Sequence, residues 1–373
     1  MIVPQRSTLL LWCLETSQEL DTNVMIQMKS AAMAALLGLT ATASFAETYT
    51  LRFQHFVSPN SANPKYFIEP WAKKVEAESE GRLKVEIFPF MQLGGKAPSQ
   101  YDLIADGVID GGWVIPGYQA GRFPEAEALE LPFMTSKSAE EASIAAWNFT
   151  QEHLMDDFED VHVFAAHMHG PGLVHKKGDE ITRLEDFQGL KLRGPSRAAT
   201  LLLEELGAEP VGMAVPAFPE ALSKGVVDGG VITWEMAPSL KLDDLVDSHT
   251  DVAGDKALYN LYFIWAMNKE AYAGLPEDLQ AVIDANSGLM ASAWAGRAHD
   301  QGDAVGRERM DDAGNILAEM SVEETDRIKA VADKVIADWV ASTDVKGLDG
   351  AALVESARTA VAAAKGQAQP AAN

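Results

Sequence analysis

From Thr48 to Phe56 apolar and polar residues alternate, the pattern of a strand with one buried side. Asn63 to Glu80 carries its apolar residues at helical spacing, with Pro70 expected to interrupt the helix, and Arg82 to Phe88 alternates again as a second strand. Gln92-Leu93-Gly94-Gly95 then turns the chain into a helix from about Pro98 to Asp106. This β-α-β-α order predicts a parallel or mixed sheet covered by helices. Farther on, Ser138 to His153 reads as a helix and Val161 to His169 as a strand broken by Gly170-Pro171-Gly172. A short strand, Leu190 to Arg193, ends in a Gly-Pro break before Ser196, a good N-cap for a leucine-rich helix closed by Gly207. Glu209 to Met213 is a strand and Pro219 to Lys224 a helix, and Asn260 to Asn268 is apolar enough to be a strand buried on both faces. No proline follows Pro276 until past Ala313, which predicts one helix on the order of 50 Å long. Two shorter helices and a disordered Ala/Gln/Pro tail, Gly366 to Asn373, are expected after it.

An internal echo organises these elements. Gly107-Val108-Ile109-Asp110-Gly111-Gly112 recurs as Gly225-Val226-Val227-Asp228-Gly229-Gly230, each copy following a helix and leading into an apolar strand. Two lobes on one plan explain this, with residues 47–170 plus 258–297 in the first and 171–257 plus 298–351 in the second. Residues 352–373 form a C-terminal helix and tail. The chain crosses between lobes near Gly170-Pro171-Gly172 and again near Ala257.

Residues 1–46 stand outside that plan. Met28-Lys29-Ser30, the apolar run Ala31 to Leu39 and the small residues Thr40 to Ala46 have the three regions of a cleavable secretory signal, so the mature chain is expected to begin at Glu47 and translation at Met28. The apolar run is too short for a permanent membrane anchor. The single cysteine, Cys13, lies in this segment, so the mature chain must stabilise itself without disulfides. With 47% hydrophobic residues among 373 it has the material for large cores. A net charge of −25 argues against nucleic-acid partners and anionic lipid surfaces, so an anionic ligand needs a local positive site.

Arg193 is the candidate for that site. It falls at the carboxyl end of a strand, the edge that borders ligand crevices in open α/β folds, and its guanidinium offers two parallel donors to a carboxylate. The competing reading pairs it with a structural carboxylate. Trp234-Glu235 ends the strand after the second echo, and a buried glutamate there needs a partner: a ligand hydroxyl, a cation or Arg193 itself. Trp113, Tyr118 and Trp265 are candidate pocket walls that would serve equally as core. His167 and His169 share one face of a strand, a spacing compatible with metal, although no further ligand is adjacent. No nucleophile elbow, phosphate-binding loop or zinc-protease motif occurs, so an enzyme is not expected.

The order and spacing of Gln92-Leu93-Gly94-Gly95, Gly121-Arg122-Phe123-Pro124, Leu131-Pro132-Phe133, Gly189-Leu190-Lys191-Leu192-Arg193 and Glu220 to Gly229 resemble the DctP-type solute receptors of tripartite ATP-independent periplasmic (TRAP) transporters. The resemblance implies an α/β, two-lobed periplasmic binding protein fold, class II-like, with a long helix spanning both lobes. It implies a periplasmic receptor that delivers a small organic acid to the membrane subunits of a TRAP permease, with neither nucleic acid nor membrane insertion involved. An arginine matching Arg193 pairs with the ligand carboxylate in this family. Gly230 to Glu235 departs from the asparagine-bearing pattern of its sialic-acid receptors, and a monocarboxylate with an apolar or aromatic body, or a 2-oxo or 2-hydroxy acid, is expected instead. The candidate ligand-binding residues are Arg193 as clamp, Trp234 and Trp113 as walls, Glu235 and His169 as orienting groups, and Gln92, Phe263 and His55. No cofactor is expected, with Glu235 available to a cation that bridges the ligand. A metal-ion carrier and a secreted enzyme are the alternatives.

Overall fold

The structure, a computed structural model, describes residues 47–344 and 347–368; the secretion signal, the translation start, Cys13 and the tail from 369 onward lie outside the described residues. Strands β1 (Tyr49–Gln54), β2 (Leu83–Phe88), β3 (Gly111–Val114), β4 (Val161–Met168) and β10 (Tyr262–Asn268) form one sheet in the order β2-β1-β3-β10-β4. Strands β5 (Gly172–Lys176), β6 (Lys191–Gly194), β7 (Glu209–Gly212), β8 (Gly229–Thr233), β9 (Ser248–Asp251) and β11 (Ile316–Glu319) form the other, ordered β11-β9-β5-β8-β6-β7. Each sheet holds three neighbouring parallel strands followed by an antiparallel one: β2-β1-β3 and then β10 in one, β7-β6-β8 and then β5 in the other. This is the α/β two-sheet plan read from the sequence, and residues from Thr48 onward pack as one compact unit.

The echo marks equivalent places in the two sheets. Gly107 and Gly225 adopt φ of +69° and +66°, the left-handed C′ conformation that ends a helix at no steric cost. Asp110 N–H donates to Arg52 O at 3.1 Å while Arg52 N–H donates to the Asp110 carboxylate at 2.8 Å. Asp228 and Lys191 repeat the pair at 2.7 and 2.8 Å. The aspartate therefore locks each central strand to its parallel neighbour, which explains why Gly-x-x-Asp-Gly-Gly occurs twice.

The chain leaves the first sheet after Met168, enters the second at Gly172, and returns between Asp251 and Tyr262. The two connectors run side by side: Gly172 bridges Tyr259, and Asn260 Nδ2 donates to His169 O and Gly170 O, both at 2.9 Å. Three local expectations change. Pro70 does not interrupt its helix; a π-helical turn, Pro64–Ile68, passes directly into the α-helix Glu69–Glu78, with Pro70 in its first turn where no N–H is needed. The long helix breaks into Glu277–Ala285 and Gly288–Asp312, the latter about 37 Å long. Asn286 makes the break, its carbonyl taking a hydrogen bond from Trp71 Nε1 at 2.7 Å and its side chain one from Lys74 Nζ at 2.6 Å. The helix Val322–Asp344 is nearly as long as Gly288–Asp312. Gly288–Asp312 packs on Ala139–Phe149 and β4 in the first half and on β11 in the second, so it braces both sheets. No helix among the described residues is long and apolar enough to cross a membrane.

Candidate functional site

Arg193 ends β6 opposite Gly230 of β8, and the glycine is what makes room for it: a Cβ there would stand 2.7 Å from Arg193 Cβ and 2.8 Å from the Phe218 ring. The side chain is fully buried. Arg193 Nε donates to Met213 O at 3.1 Å and Nη1 to Val231 O at 2.9 Å, which fixes the guanidinium plane, while Nη2 has no hydrogen-bond partner. Among the described residues no carboxylate lies within ion-pair distance of it, so the structural ion pair that competed with the clamp does not form. A buried cation without a counter-charge is costly, and an anion arriving at Nη2 relieves that cost.

Arg193 opens into a pocket at the carboxyl ends of β1, β3, β6 and β8. One wall is aromatic and flat. Trp113 stacks between Phe56 and Phe263 at 5.1 and 4.9 Å between ring centroids, and its Nε1 donates to His167 Nε2 at 2.8 Å. Ile115, Val215, Ile232, Met236 and Leu261 add apolar surface, and Tyr118 and Tyr259 line the pocket near Arg193. Burial holds both phenols un-ionised, against the pull of the Arg193 charge. Tyr118 also ties the two halves together by accepting the Val215 N–H at 3.0 Å.

Glu235 lines the same pocket. Its Oε1 accepts from Thr233 Oγ1 at 3.3 Å and from His299 Nδ1 at 3.2 Å, while Oε2 is buried and unpartnered. Trp265 Nε1 donates to Asn63 Oδ1 at 3.2 Å, which turns the Asn63 amide nitrogen toward His299 Nε2 at 3.3 Å. His299 Nε2 is then the acceptor, and its Nδ1 carries the proton given to Glu235. Beside this chain Asp303 accepts the Glu235 N–H at 2.8 Å, and burial followed by the Glu235 charge raises its pKa well above the usual carboxylate range.

The structure brings Arg193, Glu235, His169, Trp113 and Phe263 together around one pocket. It corrects three other expectations. Trp234 is no wall: in the turn that follows β8, Glu235 and Met236 line the pocket while the Trp234 ring turns away and packs on His175 and His249 at 5.7 and 5.3 Å. Gln92 is exposed on the turn after β2, where its motif serves the backbone. His55 is buried beyond the pocket lining, with both ring nitrogens unpartnered and its pKa lowered by burial to about 4. His169 lines the pocket, yet its nitrogens are occupied by Gly170 O at 2.7 Å and the Leu261 N–H at 3.0 Å, so it shapes the wall without a free polar atom. With His167 engaged by Trp113, the strand pair is not poised for metal, and no cluster of three or more metal-binding side chains occurs among the described residues.

Sequence reasoning missed Phe56, Thr233, Met236, Tyr259, Leu261, Asn63 and His299. Only His299 left a signal, standing among Ala295, Gly296, Gly302 and Gly306 at helical spacing, where small residues mark a closely packed face.

Residues 53–343 match the family of bacterial extracellular solute-binding proteins, family 7. A TRAP solute-binding protein from Rhodoferax ferrireducens T118, solved with copurified benzoate, is 43% identical and superposes with a TM-score of 0.84 over 86% of this chain and 100% of that one. A marine-metagenome TRAP solute-binding protein specific for aromatic acid ligands, solved with 3-hydroxybenzoate, is 42% identical with a TM-score of 0.84, covering 86% of this chain and 99% of that one. Outer membrane transporter protein TsaT of Comamonas testosteroni is 26% identical over 263 residues, 68% of this chain and 75% of that protein.

Proposed function

The chain belongs to the bacterial extracellular solute-binding proteins of family 7, and we propose that the acid it captures is a small aromatic monocarboxylate. One observation carries this reading: Arg193 Nη2, buried and unpartnered, faces a pocket walled by Phe56, Trp113 and Phe263. The arginine is the single permanent cation among the lining residues, so it pairs with one carboxylate, and a second carboxylate would meet Glu235. The two relatives solved with benzoate and 3-hydroxybenzoate support the same class.

A thermal-shift panel tests it. Ligand at 100 times its dissociation constant adds about 2.7 kcal/mol of stability, several degrees for a protein of this size. Benzoate and its substituted forms should give the largest shifts, branched aliphatic monocarboxylates smaller ones, and succinate none. The shifts should survive a chelator, because Arg193 supplies the charge without a bridging cation. Stabilisation by succinate or an uncharged sugar with silence from every aromatic acid would overturn the reading.

Delivery to a TRAP membrane permease and the absence of catalysis belong to the same proposal; bound acid should be recovered chemically unchanged. Residues 28–46 then serve as the cleaved export signal. The intact mass of periplasmic protein should correspond to a chain beginning at Glu47, and retention of residues 1–27 would refute that assignment.

A further inference from the structure

Resting on the aromatic-acid reading, we propose that the preferred ligand carries a ring hydroxyl, which donates its proton to Glu235 Oε2 while its carboxylate sits on Arg193. Three polar atoms in the pocket lining are buried and unpartnered: Arg193 Nη2, Glu235 Oε2 and Tyr259 OH. A plain aromatic carboxylate satisfies the first and leaves an anionic oxygen buried without a donor, a larger cost than leaving a neutral group so. The carboxylate is also held for the purpose. Thr233 Oγ1 and His299 Nδ1 both donate to Oε1, and the Asn63 and Trp265 contacts set the histidine tautomer, so the free lone pairs are concentrated on Oε2. This is an acceptor fixed in place before the ligand arrives, and it calls for a donor.

A hydroxyl fits better than the alternatives. An ammonium brings three donors that need three acceptors, and besides Glu235 and Tyr259 the polar lining is Arg193, a donor, and Thr233, Tyr118 and His169, each already hydrogen-bonded within the protein. A hydroxyl brings one donor and can itself accept from Tyr259 OH. Tyr259 OH is buried without a hydrogen-bond partner and burial keeps it un-ionised, so its proton is available to the ligand.

Titration calorimetry on the full mature protein tests this with benzoate, its three monohydroxy isomers, and the methyl ether of the isomer that binds best. That isomer should bind roughly tenfold to a hundredfold tighter than benzoate, the range for a hydrogen bond to a charged group. It should exceed its methyl ether, which keeps the oxygen and loses the proton, by a similar factor. In Glu235→Met the ratio of hydroxybenzoate to benzoate affinity should collapse to about one, and in Glu235→Gln it should fall between. Equal binding of benzoate, hydroxybenzoate and ether by the wild type overturns the inference and leaves the aromatic-acid reading standing. Persistence of the preference in folded Glu235→Met overturns it as well. Binding of none of these acids removes both. The wild-type ether comparison decides the matter even if the variants do not fold.

Discussion

Arg193→Ala should lower affinity for aromatic acids by roughly thirtyfold or more, since removing one partner of a buried, hydrogen-bonded charge pair costs about 2–5 kcal/mol. Arg193→Lys should fail nearly as badly. The guanidinium is held by two backbone carbonyls, Met213 O and Val231 O, with a third arm left for the ligand, and an ammonium cannot reproduce that planar spread. Trp234→Ala supplies the contrast. Its ring packs against His175 and His249, so the variant should lose about 3–5 kcal/mol of stability, the range for truncating a buried aromatic, while the folded fraction keeps its affinity. Near wild-type affinity in folded Arg193→Ala would remove the clamp, and a lasting loss of affinity in folded Trp234→Ala would return the indole to the pocket.

Stability should peak near pH 6.5 and fall on both sides. Burial lowers His55 to about 4 and His169 to about 3, and takes His167 well below the ordinary value of 6.5. The unfolded chain therefore binds these protons first, so their contribution is complete above pH 6.5 and is lost as pH drops toward 4 and then 3. Each bound-proton difference steepens the slope by about 1.4 kcal/mol per pH unit. Buried carboxyls act in the opposite direction. Glu130, raised by burial to about 8, and Asp303, raised well above its ordinary value, are protonated in the fold where the unfolded chain is ionised. Their contribution is complete below about pH 4 and declines as pH climbs toward 8. His162, His175 and His249 are lowered by burial in the same sense, and Asp157, Asp251 and Asp300 are raised by it like the other two acids, so between pH 6.5 and 4 six histidines stand against five acids. Urea unfolding at fixed temperature from pH 4 to 9 measures the profile, and His55→Leu should flatten its acid side. A free energy that climbs steadily from pH 6.5 down to pH 5 would show that the histidines do not govern the acid limb.

Arg193 was legible because strand, Gly-Pro break and N-cap are contiguous in the chain, and Ser196 does cap its helix by accepting the Ala199 N–H. The echo was legible for the same reason: a helix stop, an aspartate lock and a strand start fit within six residues. Trp234 was misread because nothing local in the chain tells which residue of the turn after β8 meets the pocket, and its ring packs on His175 and His249 instead. Gln92 was misread because a motif that shapes a turn looks the same on paper as one that meets a ligand. The long helix broke at Asn286 because Trp71, more than two hundred residues earlier, claims its carbonyl.

The sequence by itself determined the elements, their two-fold plan and the strand end at which Arg193 stands, since periodicity, caps and turns act over a few residues. Only the tertiary structure decided the polarity of the pocket. Leaving Arg193 Nη2 and Glu235 Oε2 free depends on Met213, Val231, Thr233, His299 and Asn63 occupying the other sites of those two side chains or of the histidine between them. Asn63 and His299 are 236 residues apart, and a hydrogen bond over that separation exists only once the helix Gly288–Asp312 has packed against the turn Pro64–Ile68.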